Sequence, residues 1–320
     1  MKAIVYHEYG SPDVLQYEEI AKPAPATNEV LVAVRAASIN PLDWHFMRGD
    51  PYLLRLAGGL RRPKITRLGV DLAGQIESVG SGVTKFKPGD EVFGSCRGAF
   101  AEYVCTTESA LAIKPQNVSF EQAAAAPTVT FTALQALRNL GHIQKGQKVL
   151  INGAAGGVGT AAVQLAQWFG ADVTGVCSTH NVEMVRSIGA SHVVDYTRED
   201  FTRNGLHYDI FLDCIGNHSL LACRRVLNSN GRYIMIGGTG GMSSFLARAF
   251  IASLWSRLSN KKLSMFLAKR SPEDLALMRD LLESKELMPI IDRRYRLCEL
   301  PEAIAYLEAG HARGKVIIVS

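Results

Sequence analysis

Residues 148–159 read Lys-Val-Leu-Ile-Asn-Gly-Ala-Ala-Gly-Gly-Val-Gly, and this stretch is the strongest indication of the fold. The apolar residues at its start predict a strand, and residues 160–169 predict a helix. A strand, a tight glycine turn and a helix N-terminus together hold the pyrophosphate of a dinucleotide. Gly156 lets the backbone approach the phosphates, and Gly159 lets the helix pack closely on the strand. Ala154 stands where the first glycine of the usual fingerprint is expected.

The end of the next strand bears on which dinucleotide is bound. Residues 172–177 predict that strand, and an NAD site places Asp or Glu just beyond it to bind the ribose 2′-hydroxyl. A carboxylate there would repel a 2′-phosphate, and residues 178–181 of this chain contain no Asp or Glu. The pattern therefore predicts an NADPH pocket; the alternative is a packed βαβ unit with an ordinary polar loop. The predicted contacts in these two turns are Ala154, Gly156, Gly157, Val158, Ser178, Thr179, His180 and Asn181, with Tyr196 after the following strand.

The bulk composition excludes several classes of protein. A chain of 320 residues predicts two domains or one large one. It has no apolar run long enough for a transmembrane helix and no apolar signal-peptide core. The six cysteines are scattered without metal-ligand spacing, which favours reduced thiols in a cytoplasmic protein without a metal site. A net charge of +5 is too weak to argue for nucleic acid.

One local charge pattern stands out. Between Asp213 and Glu273 there is no acidic residue, yet there are nine Lys or Arg. Within this region, residues 245–262 place apolar side chains on one helical face. We expect an amphipathic helix packed on protein; the alternative is a face that lies on an anionic membrane.

The order of elements predicts an α/β chain with two parts. Residues 1–120 show short apolar or alternating runs separated by turn signals, which suits a β-barrel or sandwich. From residue 148 strands and helices alternate, the pattern of a doubly wound parallel sheet. Two of its strands end in turns at Gly216 and Gly237, on the edge where such sheets bind ligands.

At this point the chain resembles the medium-chain dehydrogenase/reductase superfamily along essentially its whole length. The resemblance rests on the N-terminal Met-Lys-Ala-Ile-Val, the Pro-Gly-Asp-Glu-Val turn at 88–92, the glycine loop, and Gly-His-Ala-Arg-Gly-Lys-Val at 310–316. It implies a GroES-like β-barrel domain over 1–122 and 288–320, and a Rossmann domain over 123–287.

The superfamily's zinc signature, G-H-E-x2-G-x5-G, can be laid on Gly69, Gly74 and Gly80. Where it needs His-Glu, this chain has Val70-Asp71, and the stretch at 40–43 reads Asn-Pro-Leu-Asp where zinc enzymes carry a Cys ligand. A catalytic zinc needs three protein ligands, so no metal is expected. The chain is therefore similar to the zinc-independent, quinone-oxidoreductase-like branch, in the subgroup of the chloroplast-envelope quinone oxidoreductase homologue and the reticulon-4-interacting mitochondrial protein.

That branch implies an activity and a set of roles. The activity is hydride transfer from NADPH to a quinone or an α,β-unsaturated carbonyl, and homodimers are usual. Thr132 would contact the nicotinamide end, Asn40 would lie near nicotinamide and substrate, and Ile215, Gly237 and Lys315 match cofactor-contacting positions. Thr132 and Asn40 also have structural explanations, as a helix N-terminal hydroxyl and a turn residue.

Residues 50–67 form an insert in which apolar and basic side chains alternate. It suits a lid over a lipid-like or quinone-like substrate, or equally an ordinary surface loop. Tyr52 within it is the best candidate to orient a carbonyl or relay a proton, although solvent could supply that proton. Two other functions stay open: an NADPH-binding protein with little catalysis, associated with proteins or a membrane, and a zinc-independent alcohol or aldehyde reductase.

Overall fold

The computed structural model describes residues 1–237, 260–265, 267–310 and 312–319. The chain forms two compact units: unit 1 comprises Met1–Thr128 and Arg270–Ser320, and unit 2 comprises Val129–Lys269. The predicted α/β class is confirmed, with a β-rich part and a doubly wound parallel sheet. Most of the segment 245–262, for which an amphipathic helix is expected, lies outside the described residues.

The N-terminal part of unit 1 supplies most of a seven-stranded sheet. Its core is an apolar cluster in which the strands' alternate side chains are buried, as the period of two requires. Five strands of this part belong to that sheet: β3 Glu29–Ser38, β4 Asp71–Val79, β5 Glu91–Ser95, β6 Tyr103–Thr107 and β7 Leu111–Ile113. Two more strands precede them in the chain, β1 Lys2–Val5 and β2 Gln16–Glu19. Strands β1 and β2 form a separate hairpin-like pair, and β3 pairs antiparallel with both β4 and β6.

Three helices accompany these strands: α1 Pro41–Arg48, α2 Leu54–Gly58 and α3 Phe120–Ala125. The expected turn at Asn40 is the N-cap of α1, because Pro41 has the fixed backbone angle that suits the first helical position. The carboxylate of Asp43 accepts a hydrogen bond from the backbone N–H of Asn40 at 2.8 Å, which satisfies one donor at this helix start.

Unit 2 is built on a six-stranded parallel sheet in the order β10-β9-β8-β11-β12-β13. Its strands are β8 Lys148–Asn152, β9 Asp172–Cys177, β10 His192–Asp195, β11 Tyr208–Asp213, β12 Leu227–Met235 and β13 Lys262–Met265. Its helices are α4 Pro127–Gln135, α5 Gly157–Trp168, α6 Val182–Ser187 and α7 Leu220–Arg225. The strand order reverses at β8, and ligands bind such sheets at that switch point.

The C-terminal segment returns the chain to unit 1. It contains α8 Pro272–Glu283, β14 Ile291–Arg296, α9 Leu300–Glu308 and β15 Lys315–Val319. Strand β15 pairs antiparallel with β3 and parallel with β14, which completes the seven-stranded sheet. Helix α8 lies in unit 1, although the sequence places it in the Rossmann domain; Asn117 donates from its amide to the carbonyl of Glu283 at 2.9 Å.

Two general expectations concern thiols and membranes. All six cysteines are free in the structure. No helix among the described residues has both the length and the apolar character needed to cross a membrane.

Candidate active site

The glycine loop after β8 is a tight turn pressed against the start of α5. Gly153 has a φ of +82°, which favours glycine. The N–H groups of Gly153 and Ala154 both donate to the carbonyl of Val176 at the end of β9, at 3.2 and 3.0 Å. A Cβ on Gly159 would lie 2.0 Å from the Gly153 carbonyl oxygen, so only glycine permits this close packing of helix on strand.

The N-terminus of α5 is open where the loop turns into it. Gly156 is the N-cap and provides no side-chain cap, so the first N–H groups of the helix, at Gly157 and Val158, have no acceptor of that kind. A Cβ on Gly156 would meet only the Gly153 carbonyl oxygen, at 3.5 Å. Free N–H groups, the positive end of a helix dipole and space beside the backbone make this an anion site. The arrangement fits a pyrophosphate.

The turn after β9 carries the residues expected to face the ribose. Asn181 donates from its amide to Ser178 Oγ at 3.1 Å, which holds the two side chains together. The amide oxygen of Asn181 is buried with no hydrogen-bond partner among the described residues. Thr179 and His180 are exposed beside them. This turn therefore presents hydroxyl and amide groups, as the sequence predicts.

A carboxylate that sequence reasoning missed lies close to this turn. Asp195 ends β10 next to Cys177 of β9, because the two strands are parallel neighbours. Thr179 Oγ1 donates to Asp195 at 2.6 Å, and Thr197 donates through its hydroxyl at 2.7 Å. These hydrogen bonds lower the pKa of the Asp195 carboxyl. Tyr196 follows directly and is exposed.

A second missed carboxylate organises the turn after β11. Asp213 is fully buried and accepts hydrogen bonds from the N–H groups of Ile215 and Gly216 at 3.1 and 2.8 Å. It also accepts from the Asn152 amide at 2.9 Å and the Tyr233 hydroxyl at 2.8 Å. Asp213 therefore ties together the carboxyl ends of β8, β11 and β12 and fixes the turn on which Ile215 is exposed.

Gly237 packs against the same turn. A Cβ at this position would lie 2.2 Å from the carbonyl oxygen of Cys214. The loop after β8 and the turns after β9, β10, β11 and β12 thus share one edge of the parallel sheet. All predicted cofactor residues of unit 2 lie in these turns except Thr132, which lies within α4 and is half-buried.

The other predicted site residues lie in unit 1, where Asn40 and Lys315 contact each other. The Lys315 ammonium donates to Asn40 Oδ1 at 2.6 Å and to the carbonyl of Ile39 at 2.8 Å. Both side chains are buried. They meet because β15 pairs with the end of β3, where Ile39 donates its N–H to the carbonyl of Val316. Burial lowers the pKa of the Lys315 ammonium, and Asp71 and Asp43 oppose that shift.

Asp71 completes this buried network from the start of β4. It accepts from the Asn40 amide at 2.9 Å, from Ser38 Oγ at 3.3 Å and from Thr128 Oγ1 at 2.7 Å. The Asn40 side chain is consequently engaged on both sides, as donor to Asp71 and as acceptor from Lys315. Sequence reasoning identified Asp71 only as a position in the zinc signature and did not foresee this role.

Asp43 is the second buried carboxylate near Lys315. Its two oxygens accept from the backbone N–H groups of Asn40 and Gly69, at 2.8 and 2.9 Å. Burial raises the pKa of the Asp43 carboxyl to about 7, and Asp71 adds to that rise, whereas the two hydrogen bonds and Lys315 oppose it. Among the described residues, no group of three or more His, Cys, Asp or Glu side chains is placed to hold a metal ion.

Tyr52 lies apart from this network, in the turn before α2. Its ring is exposed, and the Arg55 guanidinium lies 4.9 Å from the ring centroid. Within unit 1 the structure therefore brings Asn40 and Lys315 together and leaves Tyr52 on the surface.

Two sequence families match parts of the chain. The family described as alcohol dehydrogenase GroES-like domain matches residues 26–116, and the one described as zinc-binding dehydrogenase matches residues 188–318.

Whole-length relatives are also found. The chain is 33% identical to the chloroplast envelope quinone oxidoreductase homolog of Arabidopsis thaliana, over 99% of this chain and 98% of that protein. It is 31% identical to the chloroplastic NADPH-dependent alkenal/one oxidoreductase of the same plant, over 99% and 79%. The solved structure of Escherichia coli quinone oxidoreductase complexed with NADPH superposes with a TM-score of 0.83 at 26% identity, covering 100% of both chains.

Proposed function

Since the chain belongs to the quinone-oxidoreductase-like branch of the medium-chain dehydrogenase/reductase superfamily, we propose that it transfers hydride from NADPH to quinones or α,β-unsaturated carbonyls. The observation that carries this proposal is the open helix N-terminus at Gly156, which shares one sheet edge with the hydroxyl-bearing turn at Ser178. The relatives named above are described as oxidoreductases of these two substrate classes, so a non-catalytic binding role is not favoured.

The cofactor is NADPH. Gly156, Gly157 and Val158 would hold its pyrophosphate on the N-terminus of α5. Ser178 would donate to the 2′-phosphate, and Thr179 would do so by exchanging its present hydrogen bond to Asp195 for one to the phosphate. The hydrogen bonds from Thr179 and Thr197 lower the pKa of the Asp195 carboxyl, so this group stays ionised beside the turn. When bound, the cofactor supplies the hydride, and the substrate's own conjugated carbonyl takes up the negative charge.

Hydride transfer is proposed to proceed without zinc. The support is the unit 1 network, in which Val70 offers no ligand atom and the Asn40 amide oxygen accepts from the Lys315 ammonium at 2.6 Å. The position that holds a Cys ligand in metal-containing relatives therefore carries an amide whose oxygen is bound by a protein cation. These residues do not fit a zinc ion, so no step is assigned to one.

Asn40 and Tyr52 are the proposed catalytic residues. Lys315 and Asp71 fix the orientation of the Asn40 amide from both sides. The exposed phenol of Tyr52 is proposed to orient the substrate carbonyl or relay a proton, and solvent is the other source of that proton. Thr132, Ile215, Gly237 and Lys315 remain proposed cofactor contacts.

The finer features of assembly are also proposals. Homodimer formation is supported by family resemblance, and membrane contact through residues 245–262 by the basic, apolar pattern of that segment. A cytoplasmic location stays a prediction from the sequence.

The proposed function is tested by nucleotide titration followed by turnover. We expect protein fluorescence to report tighter binding of NADPH than of NADH, and a quinone or a long-chain enone to oxidise bound NADPH. Selective NADPH binding without oxidation by either acceptor class would contradict the reductase. Failure to bind either nucleotide would contradict the cofactor site itself.

A further inference from the structure

The surface of unit 1 carries a concentration of exposed apolar side chains. Five of the 14 exposed large apolar side chains in the described part of the chain lie between residues 52 and 65. We call residues 51–65 the basic apolar segment. Its exposed apolar members are Tyr52, Leu53, Leu56, Leu60 and Ile65.

Three of these side chains lie close together on one helical surface. The N–H groups of Leu54, Arg55 and Leu56 donate three residues back, so the turn is continuous from Pro51 into α2. Tyr52, Leu53 and Leu56 are spaced three and four residues apart, which places them side by side on a helical surface. They are 63%, 55% and 64% exposed. Isolated apolar residues on a surface need no explanation, but a contiguous patch of this kind marks an interaction site.

The exposure does not result from a detached loop, because the opposite side of the segment is anchored. Tyr9 Oη donates to the carbonyl of Gly59 at 2.6 Å. The Arg55 guanidinium lies 4.5 Å from the Tyr9 ring centroid and donates to the carbonyls of Gly49 and Arg48 at 3.0 and 3.2 Å. The segment is thus held to unit 1 on one side and presents its leucines on the other.

The charge around these leucines is of one sign. No Asp or Glu occurs between Asp50 and Asp71, whereas five Lys or Arg do. Arg61, Arg62 and Lys64 are exposed, and none forms an ion pair with a described residue. A surface that combines exposed leucines with exposed basic groups is complementary to a layer that is apolar inside and anionic outside.

We propose that the basic apolar segment docks on a membrane surface that contains anionic lipids. The leucines would enter the headgroup boundary, and Arg61, Arg62 and Lys64 would contact lipid phosphates. A second copy of the chain fits less well, because a two-fold interface would bring the same basic groups against each other. The proposal does not depend on catalysis, since docking requires only this surface.

Co-sedimentation of the full chain with vesicles tests the proposal. We expect binding to phosphatidylcholine vesicles that contain phosphatidylglycerol, weaker binding as salt rises, and little binding to phosphatidylcholine alone. The triple variant Arg61→Gln/Arg62→Gln/Lys64→Gln should weaken apparent affinity about a hundredfold, since each basic group at an anionic surface contributes about fivefold. Leu53→Ser/Leu56→Ser should weaken it as well.

Two controls match these variants. Lys85→Gln/Lys87→Gln/Arg97→Gln removes three exposed positive charges elsewhere on unit 1. Leu221→Ser removes a leucine of unit 2 that is also 64% exposed. Both should bind vesicles like the unmodified chain, and urea unfolding should show that all variants fold.

Three results would overturn the proposal. One is unchanged vesicle binding by the Arg61, Arg62 and Lys64 variant, which would place the contact elsewhere, including residues 245–262. Another is equal binding to neutral and anionic vesicles, or none to either. The third is a dimer that Leu53→Ser/Leu56→Ser converts to a monomer without any vesicle binding by the unmodified chain.

Discussion

The ammonium of Lys315 lies 2.6 Å from the amide oxygen of Asn40, across 275 residues of sequence and inside the core of unit 1. Two buried carboxylates, Asp71 and Asp43, lie around this pair and act on the pKa of Lys315. A buried ammonium is stable only when it is paired and hydrogen-bonded. Loss of any one of these four side chains would therefore deprive another buried side chain of a hydrogen-bond partner or an opposite charge.

Removing the Lys315 ammonium should destabilise the fold. Lys315→Met keeps the aliphatic stem but leaves the Asn40 amide oxygen and the Ile39 carbonyl without their donor, and leaves two buried carboxylates without the cation near them. We expect a loss of about 3 kcal/mol or more in the free energy of unfolding, measured with urea. Lys148→Met is the control, because Lys148 is exposed at the start of β8 and its loss should change stability by less than about 0.5 kcal/mol. Equal changes in the free energy of unfolding for Lys315→Met and Lys148→Met would show that the buried ammonium contributes no net stabilisation.

Asp43 should make stability depend on pH. The folded state raises the pKa of its carboxyl from 3.8 to about 7, so the folded chain binds the proton more tightly than the unfolded chain. The stabilisation by the protonated form is therefore fully present below about pH 4 and is lost as pH rises through about 7. Asp43→Asn cannot titrate, and its amide N–H faces one of the two backbone donors, so it should be less stable than the unmodified chain at pH 5.

The two free energies of unfolding should converge as pH rises from 5 to 8, which urea titrations at several pH values would measure. Asp90→Asn serves as the control, because Asp90 accepts a backbone N–H at the surface at 2.9 Å. If the free energies of unfolding of Asp43→Asn and the unmodified chain differed by the same amount from pH 5 to pH 8, the raised pKa of Asp43 would be contradicted.

Most of the parallel sheet is predictable from the sequence, because each strand and the turn after it are specified by neighbouring residues. Five of the six strands, β8 to β12, contain a short apolar run followed by a glycine-bearing or polar turn, and parallel strands bring those turns to one edge. The sixth strand, β13, has no such run and is not predicted by the sequence. The glycine loop and the turns at Ser178 and Ile215 were therefore identified without coordinates. Asp213 and Asp195 were missed because neither matches a motif, although both end strands next to the predicted turns.

The network of unit 1 could not be predicted in the same way. Lys315 meets Asn40 only because β15 pairs with the end of β3, and no local pattern specifies that register. The turn at Asn40 was expected without its helix, since α1 is short and its N-cap signal resembles a turn. In the zinc signature, position 71 is notable only because Asp71 stands where the signature has Glu. The structure shows that Asp71 accepts hydrogen bonds from Asn40 and Thr128.

Two glycines of the nucleotide loop should respond differently to alanine. Gly156 has a φ of −81° and open space where its Cβ would lie, so Gly156→Ala should leave stability unchanged. The added methyl group would occupy the approach to the helix N-terminus, and we expect NADPH affinity to fall at least about tenfold, or about 1.4 kcal/mol. Gly159→Ala would instead press a methyl group on the Gly153 carbonyl and lower the free energy of unfolding by about 1–3 kcal/mol.

Fluorescence titration and urea unfolding of both variants measure this contrast. If Gly156→Ala bound NADPH as tightly as the unmodified chain, the space beside Gly156 would not be the phosphate site. If Gly159→Ala were as stable as the unmodified chain, the glycine loop and α5 would be able to move apart without loss of stability.

Ser178 should control the choice between NADPH and NADH. Its hydroxyl is held toward Asn181 at the end of β9, where a 2′-phosphate needs donors and a 2′-hydroxyl favours a carboxylate. Ser178→Asp would add a second negative charge near Asp195, so we expect the ratio of kcat/KM for NADPH over NADH to fall at least about tenfold. Ser229→Asp adds the same charge at an exposed position of β12 and should leave the ratio unchanged. Nucleotide affinities measured by fluorescence should shift in the same direction, which separates a binding effect from a change in the chemical step. Equal ratios for Ser178→Asp and Ser229→Asp would remove Ser178 from the 2′-phosphate site.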